Sequence, residues 1–152
     1  PTSSMKLATA GTFPLYEALS KGLIVTLGTD GPASNNSLDV FREMKNAVLQ
    51  QRHNYWDTRI KAVDAFRMAT VNGYSLIGIK GGKVREGYVA DLVLLDAKEL
   101  YPFRPDRLYS HLVYYATKEI VKGVIIGGKL IDKKPLKEAK AKLLKRFEEL
   151  LP

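Results

Sequence analysis

One short apolar run limits the folds open to this chain more than any other feature. Leu23-Ile24-Val25-Thr26-Leu27 is continuous, rich in β-branched side chains and too short for a helix. This pattern is typical of a strand buried on both faces in a parallel sheet. The run ends at Gly28-Thr29-Asp30-Gly31-Pro32, which predicts that the chain leaves the strand through a loop.

Apolar residues at helical spacing flank the run on both sides. The spacing predicts three helices, over Pro14–Lys21, Ser37–Gln51 and Thr58–Val71. Asn36 or Ser37 can cap the start of the second helix, because a short polar side chain satisfies free amide groups, and Asn72-Gly73 is suited to end the third. A buried strand between helices is typical of an α/β fold.

The pattern changes in the second half of the chain. Glycines punctuate short apolar runs at Val89–Leu95 and Val121–Ile131, which predicts a small β-layer with tight turns. An amphipathic helix follows from Pro135 to Leu151, and we expect its apolar face to dock on its own domain. The boundary between the two parts falls near residues 74–80.

Composition excludes several classes of protein. The chain has 152 residues, of which 45% are hydrophobic and 26% charged, the balance of a globular domain. No apolar run approaches the ~20 residues that span a bilayer, so we expect no membrane partner. The segment Pro1-Thr2-Ser3-Ser4 lacks the pattern of a signal peptide, and there is no cysteine for a disulfide or thiolate site. A cytoplasmic location is therefore expected.

The net charge of +8 raises the question of a nucleic-acid partner. The segment Lys129–Pro152 carries eight Lys/Arg and four Asp/Glu, so half of the excess charge lies in the tail. The rest is spread thinly, without a basic stripe interleaved with aromatic residues. This distribution indicates a solvated helix face and argues against nucleic-acid binding, which would show itself as salt-sensitive association.

Asp30 is the strongest candidate for chemistry. A carboxylate delivered at the carboxyl end of a buried strand is the arrangement found in parallel α/β enzymes and barrels, where it can ligate a metal or accept a proton from metal-bound water. Asp-Gly is also a common hairpin dipeptide. Gly31-Pro32 followed by a helix pattern argues against a hairpin, because no returning strand begins there.

The other candidates carry weaker signals. Asn35 and Asn36 can contact a ligand or cap a helix, and His53 in a polar helix end and His111 before an apolar run are more typical of exposed and packing histidines. Gly81-Gly82-Lys83 lacks the spacing of a phosphate loop. An aromatic group is most typical of a domain interface: Tyr101, Phe103, Tyr109, Tyr114 and Tyr115.

The stretch Leu27-Gly28-Thr29-Asp30-Gly31-Pro32-Ala33-Ser34-Asn35-Asn36 is the most specific of a series of motifs along the chain. This series resembles the amidohydrolase superfamily, in the chlorohydrolase branch with the S-adenosylhomocysteine/methylthioadenosine deaminases. The resemblance spans almost the whole chain in the correct order, and it also rests on these shorter segments: Lys6-Leu7, Leu38-Asp39, Glu43-Met44, Ala69–Gly73, Gly87–Val93, His111–Tyr114 and Gly128-Lys129.

The resemblance implies the last strand and helices of a (β/α) barrel in residues 1–79. It implies part of a small composite β-sandwich with a C-terminal helix in residues 80–152. Asp30 would contact one divalent metal, zinc or iron, and help to transfer a proton from the hydrolytic water. The implied reaction is hydrolysis of a C–N or C–Cl bond on a heteroaromatic ring, with an adenosine derivative as the expected substrate.

The resemblance also implies that most of the active site lies elsewhere. The His-x-His pair, two later metal-binding histidines and the catalytic Glu of the family would precede Pro1, and one strand cannot close a barrel. We therefore expect this chain to bind no catalytic metal and to be inactive alone, and to pair with the missing N-terminal part of the barrel. The alternative is a non-catalytic interaction module that self-associates, and a homo-oligomer is expected in either case.

Overall fold

Helices form the first half of the chain and a small sheet lies in the second. The structure is a computed structural model that describes residues 11–150. The expectations for Pro1–Ser4, Lys6-Leu7 and Leu151 lie outside the described residues. The α-helices and β-strands of these residues, in chain order, are α1 (Leu15–Ser20), α2 (Val40–Tyr55), α3 (Ala62–Met68), α4 (Val71–Leu76), β1 (Leu92–Leu95), α5 (Leu108–Ser110), β2 (Val121–Ile126), β3 (Lys129–Leu130) and α6 (Lys134–Glu148).

The predicted helices exist, but both ends of the second and third differ from the prediction. Helix α2 starts at Val40 because the Asp39 side chain accepts hydrogen bonds from the backbone N–H groups of Phe41 and Arg42, at 3.0 and 3.3 Å. Asn36 and Ser37 do not cap it. The helix predicted over Thr58–Val71 is divided at Thr70, whose backbone is not helical (φ −132°, ψ −96°), so Asn72 and Gly73 lie inside α4.

The predicted strand at Leu23–Leu27 is also corrected. Within residues 11–150 this segment belongs to no sheet, and Leu23 and Ile24 are 57% and 50% exposed. Helical residues hold it instead: the Leu27 N–H donates to the Met68 carbonyl at 3.0 Å, and Asn72 Nδ2 donates to the Val25 carbonyl at 2.9 Å. An apolar run of this kind is buried on both faces only when other strands lie beside it.

The predicted β-layer is present as a three-stranded antiparallel sheet in the order β1-β2-β3. Leu92 lies opposite Ile125, and the register shifts between Leu94 and Leu95. Gly127 and Gly128 form the turn between β2 and β3 with φ of 55° and 80°, a conformation that glycine adopts without steric cost.

The main core lies between α1, α2, α3 and the π-helical turn His111–Tyr115 that continues α5. Its buried members are Leu15, Met44, Ala47, Val48, Ile60, Ala65, Met68 and Val113. A second cluster of Leu100, Leu112, Ala116 and Ile120 lies next to it. Residues 111–120 therefore join the helical half to the segments that flank the sheet.

Only part of the predicted aromatic interface packs. Tyr109 lies 5.2 Å from Phe66, centroid to centroid, and the Tyr114 hydroxyl accepts a hydrogen bond from Arg52 at 2.9 Å. Tyr101 and Tyr115 are 88% and 75% exposed.

Helix α6 contradicts the expectation that it docks on its own domain. None of its residues is buried in the described structure, and its four large apolar side chains are each more than half exposed: Leu136, Leu143, Leu144 and Phe147. None of the helices in residues 11–150 combines the length and the apolar composition needed to cross a membrane.

Candidate active site

Asp30 lies at the point where the segment 23–29 turns into the loop that leads to α2. Its backbone is left-handed, with φ of 62°, and its Oδ1 accepts a hydrogen bond from the Gly31 N–H at 2.7 Å. Aspartate tolerates this conformation better than most residues, because its short side chain can hydrogen-bond locally. Asp30 is exposed, so its carboxylate is presented at the surface of the described structure.

Asn35 organises the loop that follows Asp30. The residue is 3% exposed, and its Nδ2 donates to the Thr29 carbonyl at 2.8 Å and to Glu43 Oε1 at 2.9 Å. Its Oδ1 accepts from the Ser37 N–H at 3.0 Å. Asn35 therefore braces the loop and does not cap α2.

Glu43 is the site residue that sequence reasoning missed. It belongs to the motif series that carries the resemblance, but no structural or chemical role was predicted for it. Its exposed fraction is 0%, and it lies on the same face of α2 as the buried Ala47. The sequence does carry a signal for it: Glu43 lies four residues before the apolar Ala47, so both fall on one helix face. A carboxylate on a buried face indicates polar partners, because only they compensate for its lost hydration.

Asp39 connects the start of α2 to the segment that precedes strand β2. Besides capping the helix, its carboxylate accepts a hydrogen bond through Oδ2 from the Lys118 N–H at 3.2 Å. Asp39 is 3% exposed. The base of the loop is thus tied to the turn that precedes β2.

The two histidines behave as predicted. His53 is exposed in the last turn of α2. His111 is half-buried; its Nε2 accepts a hydrogen bond from the Arg104 N–H at 3.2 Å, and its ring lies 5.6 Å from the ring of Phe103.

A metal site is not assembled from the part of the chain that the structure describes. Residues 11–150 contain no group of three or more His, Cys, Asp or Glu side chains placed to hold a metal ion. Catalytic zinc takes three protein ligands and a water molecule. Asp30 fits the role of one oxygen donor, but the described donor set does not fit a complete centre.

Gly81 and Gly82, rejected as a phosphate loop, have a packing role. A Cβ at Gly81 would lie 2.2 Å from Tyr74 Cδ1, and one at Gly82 would lie 2.6 Å from the Val71 Cα. These glycines let the chain pass close to α4.

The same helix is tied to the sheet through Tyr74. The Tyr74 hydroxyl donates a short hydrogen bond to Asp91 Oδ2, and the Gly127 N–H donates to Asp91 Oδ1 at 2.6 Å. These bonds lower the pKa of Asp91, Tyr74 contributing most, and the carboxylate raises the pKa of Tyr74.

Comparison with known proteins places this geometry in a family. The model of the amidohydrolase family matches residues 1–131, which is most of the chain. The chain belongs to the amidohydrolase family. This confirms the resemblance that the loop around Asp30 carries.

Two relatives illustrate the similarity in sequence. The chain is 41% identical to 5'-deoxyadenosine deaminase of Methanocaldococcus jannaschii over 153 aligned positions, which cover 99% of this chain and 36% of that protein. It is 45% identical to 5-methylthioadenosine/S-adenosylhomocysteine deaminase of Thermococcus onnurineus over 132 positions, covering 86% and 31%. This amidohydrolase chain therefore spans about a third of the length of these curated relatives.

Solved structures agree with the fold. An adenosine deaminase from Xanthomonas campestris, crystallised with bound zinc, superposes with a TM-score of 0.83 at 27% identity, over 98% of this chain and 37% of that one. Atrazine chlorohydrolase from Arthrobacter aurescens TC1, with zinc, gives a TM-score of 0.74 at 22% identity, over 84% and 29%. The second likeness concerns the fold alone.

Proposed function

We propose that this chain is the carboxyl-terminal part of a metal-dependent hydrolase that deaminates adenosine derivatives. Membership of the amidohydrolase family supports the reaction class, and the names of the relatives that are 41% and 45% identical support the substrate class. Hydrolysis of a C–Cl bond is less favoured, because the chlorohydrolase likeness is only 22% identical. The share of the relatives that the chain spans supports its being one part of a longer enzyme.

The proposal assigns residues 1–79 to the last strand and helices of the barrel, and residues 80–152 to part of the β-sandwich with a C-terminal helix. The segment 23–29 is not helical, and its two exposed side chains, Leu23 and Ile24, are apolar, as expected of a strand that other barrel strands would cover. The antiparallel sheet β1-β2-β3 supports the second assignment.

In this proposal Asp30 is the contribution of the chain to the chemistry. Its carboxylate, held at the carboxyl end of the segment 23–29, would provide one oxygen ligand to a divalent metal and would accept a proton from the hydrolytic water. A bound zinc or iron ion activates water at neutral pH. The remaining ligands would come from histidines of the rest of the enzyme, because the described residues supply too few donors.

The position of Asp30 is the single observation that carries the proposal, and substitution in the complete enzyme tests it. Because φ is 62°, Asp30→Asn and Asp30→Gly remove the carboxylate with little backbone strain. We expect kcat/KM for ammonia release from 5'-deoxyadenosine and methylthioadenosine to fall by about 10²- to 10⁴-fold, the usual contribution of a general acid–base group.

Asp106→Asn is the matched control. It makes the same chemical change in an exposed carboxylate that pairs with Arg104, and we expect unchanged turnover. Near-native kcat/KM in both Asp30 variants would refute the assignment. Stoichiometric metal and ammonia release by this chain alone would contradict its proposed inactivity in isolation.

A self-associating interaction module is the second candidate. It is favoured by exposed apolar side chains on two neighbouring segments, with exposed fractions of 57% at Leu23, 60% at Leu76 and 63% at Ile77. Light scattering of the isolated chain at rising concentration would show growth in mass. A monomer at all concentrations would count against this candidate and against the expected homo-oligomer.

A further inference from the structure

The left-handed turn at Asp30 is held from the interior of the protein. Thr29, the residue before Asp30, has its carbonyl oxygen bonded by Asn35 Nδ2 at 2.8 Å. The Asn35 N–H also donates to the Gly31 carbonyl at 3.0 Å. One buried residue therefore contacts the backbone on both sides of Asp30, through its side chain at Thr29 and through its backbone N–H at Gly31.

The orientation of the Asn35 amide is fixed by its partners. Its Oδ1 faces the Ser37 N–H, which can only donate, while its Nδ2 faces the Thr29 carbonyl and Glu43 Oε1, which accept. An amide supplies two donors and one acceptor group in this arrangement, and a carboxylate does not.

Glu43 connects this brace to the core. It is completely buried in the first turn of α2, and it is followed by the core residues Met44 and Ala47. The route from core to candidate active site is thus Glu43, the Asn35 amide, the Thr29 carbonyl and then Asp30. Each bond in this route is between 2.8 and 2.9 Å up to the Thr29 backbone.

We propose that Asn35 and Glu43 are positioning residues that set the placement of the Asp30 carboxylate, an inference that rests on the proposed function. They act through the backbone of Thr29 and do not contact the reacting atoms. These bonds thereby hold the Asp30 carboxylate in a fixed position relative to the packed helix α2, although Asp30 lies on an exposed loop.

Asn35→Asp in the complete enzyme gives the sharpest test. The new carboxylate faces the Glu43 carboxylate and the Thr29 carbonyl, so the arrangement survives only when a proton is taken up. We expect kcat to fall by about 10- to 100-fold near neutral pH, a typical cost of misplacing a catalytic group, with KM little changed. The ratio of variant to native kcat should rise as the pH is lowered.

Substitutions of Glu43 test the second bond. Glu43→Gln keeps an oxygen that can accept from Asn35, whereas Glu43→Leu removes it, so kcat should follow the order native, Glu43→Gln, Glu43→Leu. If Glu43→Leu does not fold, the pH ratio of Asn35→Asp and the kcat of Glu43→Gln still decide the question.

Gln51→Glu is the matched control. Gln51 also lies on α2, is 3% exposed and holds a loop by two bonds, accepting from the Leu15 N–H at 3.3 Å and donating to the Phe13 carbonyl at 2.8 Å. It braces a different loop, so we expect a loss of stability with kcat and its pH profile unchanged. An equal kcat loss in Gln51→Glu and Asn35→Asp would overturn the inference.

A second measurement reports on the stability of the loop independently of catalysis. Hydrogen–deuterium exchange of a peptide covering residues 29–37 should be faster in Asn35→Asp and Glu43→Leu and unchanged in Gln51→Glu. Native exchange and native kcat in folded Asn35→Asp would overturn the positioning role. Full activity of Asp30→Asn would instead refute the proposed function, and the exchange data would still report on the brace.

Discussion

Helices α2 and α6 have similar lengths and similar apolar stripes, yet only α2 buries its stripe in the described structure. Helix α2 buries six of its 16 residues, including Glu43 and Gln51, whereas α6 buries none of its 15 in the described structure. An amphipathic pattern shows that one face of a helix can be buried. Whether it is buried depends on neighbouring elements, which α2 finds in α1, α3 and the turn His111–Tyr115.

The largest expected difference comes from placing a charge on each stripe. Val48→Asp puts a carboxylate at a position with 0% exposure, and we expect it to cost at least about 4 kcal/mol and to unfold the chain. Leu144→Asp on α6, at a site 52% exposed, should change the free energy of unfolding by less than ~0.5 kcal/mol. Urea unfolding followed by circular dichroism measures both, and equal losses would mean that α6 is docked in solution.

The starts of the two helices offer a smaller contrast. Asp39→Ala removes an acceptor for three backbone N–H groups and should lower the free energy of unfolding by about 1–2 kcal/mol. Asp132→Ala removes one bond to the Lys134 N–H at the start of α6, and we expect loss of helix signal without a shift of the main unfolding transition. A comparable shift in both would show that α6 unfolds together with the core.

The pH dependence of stability tests the contact between helix α4 and the sheet, which Tyr74 and Asp91 make and for which α6 has no counterpart in the described structure. The pKa of Asp91 lies below its ordinary value of 3.8, so its stabilising effect is present above that value and is lost as the pH falls through the lower, folded pKa. The raised pKa of Tyr74 preserves the bond at alkaline pH until that hydroxyl ionises. The difference in unfolding free energy between the native protein and Asp91→Asn should therefore become smaller below about pH 4. A difference that stays constant with pH would exclude this linkage.

The smallest expected effect is a gain at the end of α2. Trp56 is 92% exposed and has φ of 51°, a conformation that strains a bulky residue. Trp56→Gly should raise the free energy of unfolding by roughly 0.5–1 kcal/mol, and Trp56→Ala, which keeps the strain, should not. Circular dichroism is the suitable probe, because the chain has only one tryptophan.

The sequence predicted those features that depend on local pattern. The loop at Gly28–Pro32, the helices on either side of it and the glycine turn at Gly127-Gly128 follow from periodicity and turn chemistry. The role of Asp30 in chemistry stays a prediction. The brace between Asn35 and Glu43 was missed, because it joins an irregular loop to a helix face eight residues away and no period encodes it. Leu23–Leu27 forms no strand in the described structure for a different reason: a strand needs hydrogen-bonded neighbours, and the apolar pattern of one segment does not show whether they lie beside it.

The left-handed backbone of Asp30 has a consequence for how sites of this kind are recognised across a family. With φ of 62°, position 30 favours glycine, asparagine or aspartate whatever the chemistry requires. Even in a homologue that had lost catalytic activity, this position would therefore change slowly, because the turn alone favours the same few residues. Asparagine or glycine at position 30, with the rest of the loop unchanged, would identify such an inactive homologue.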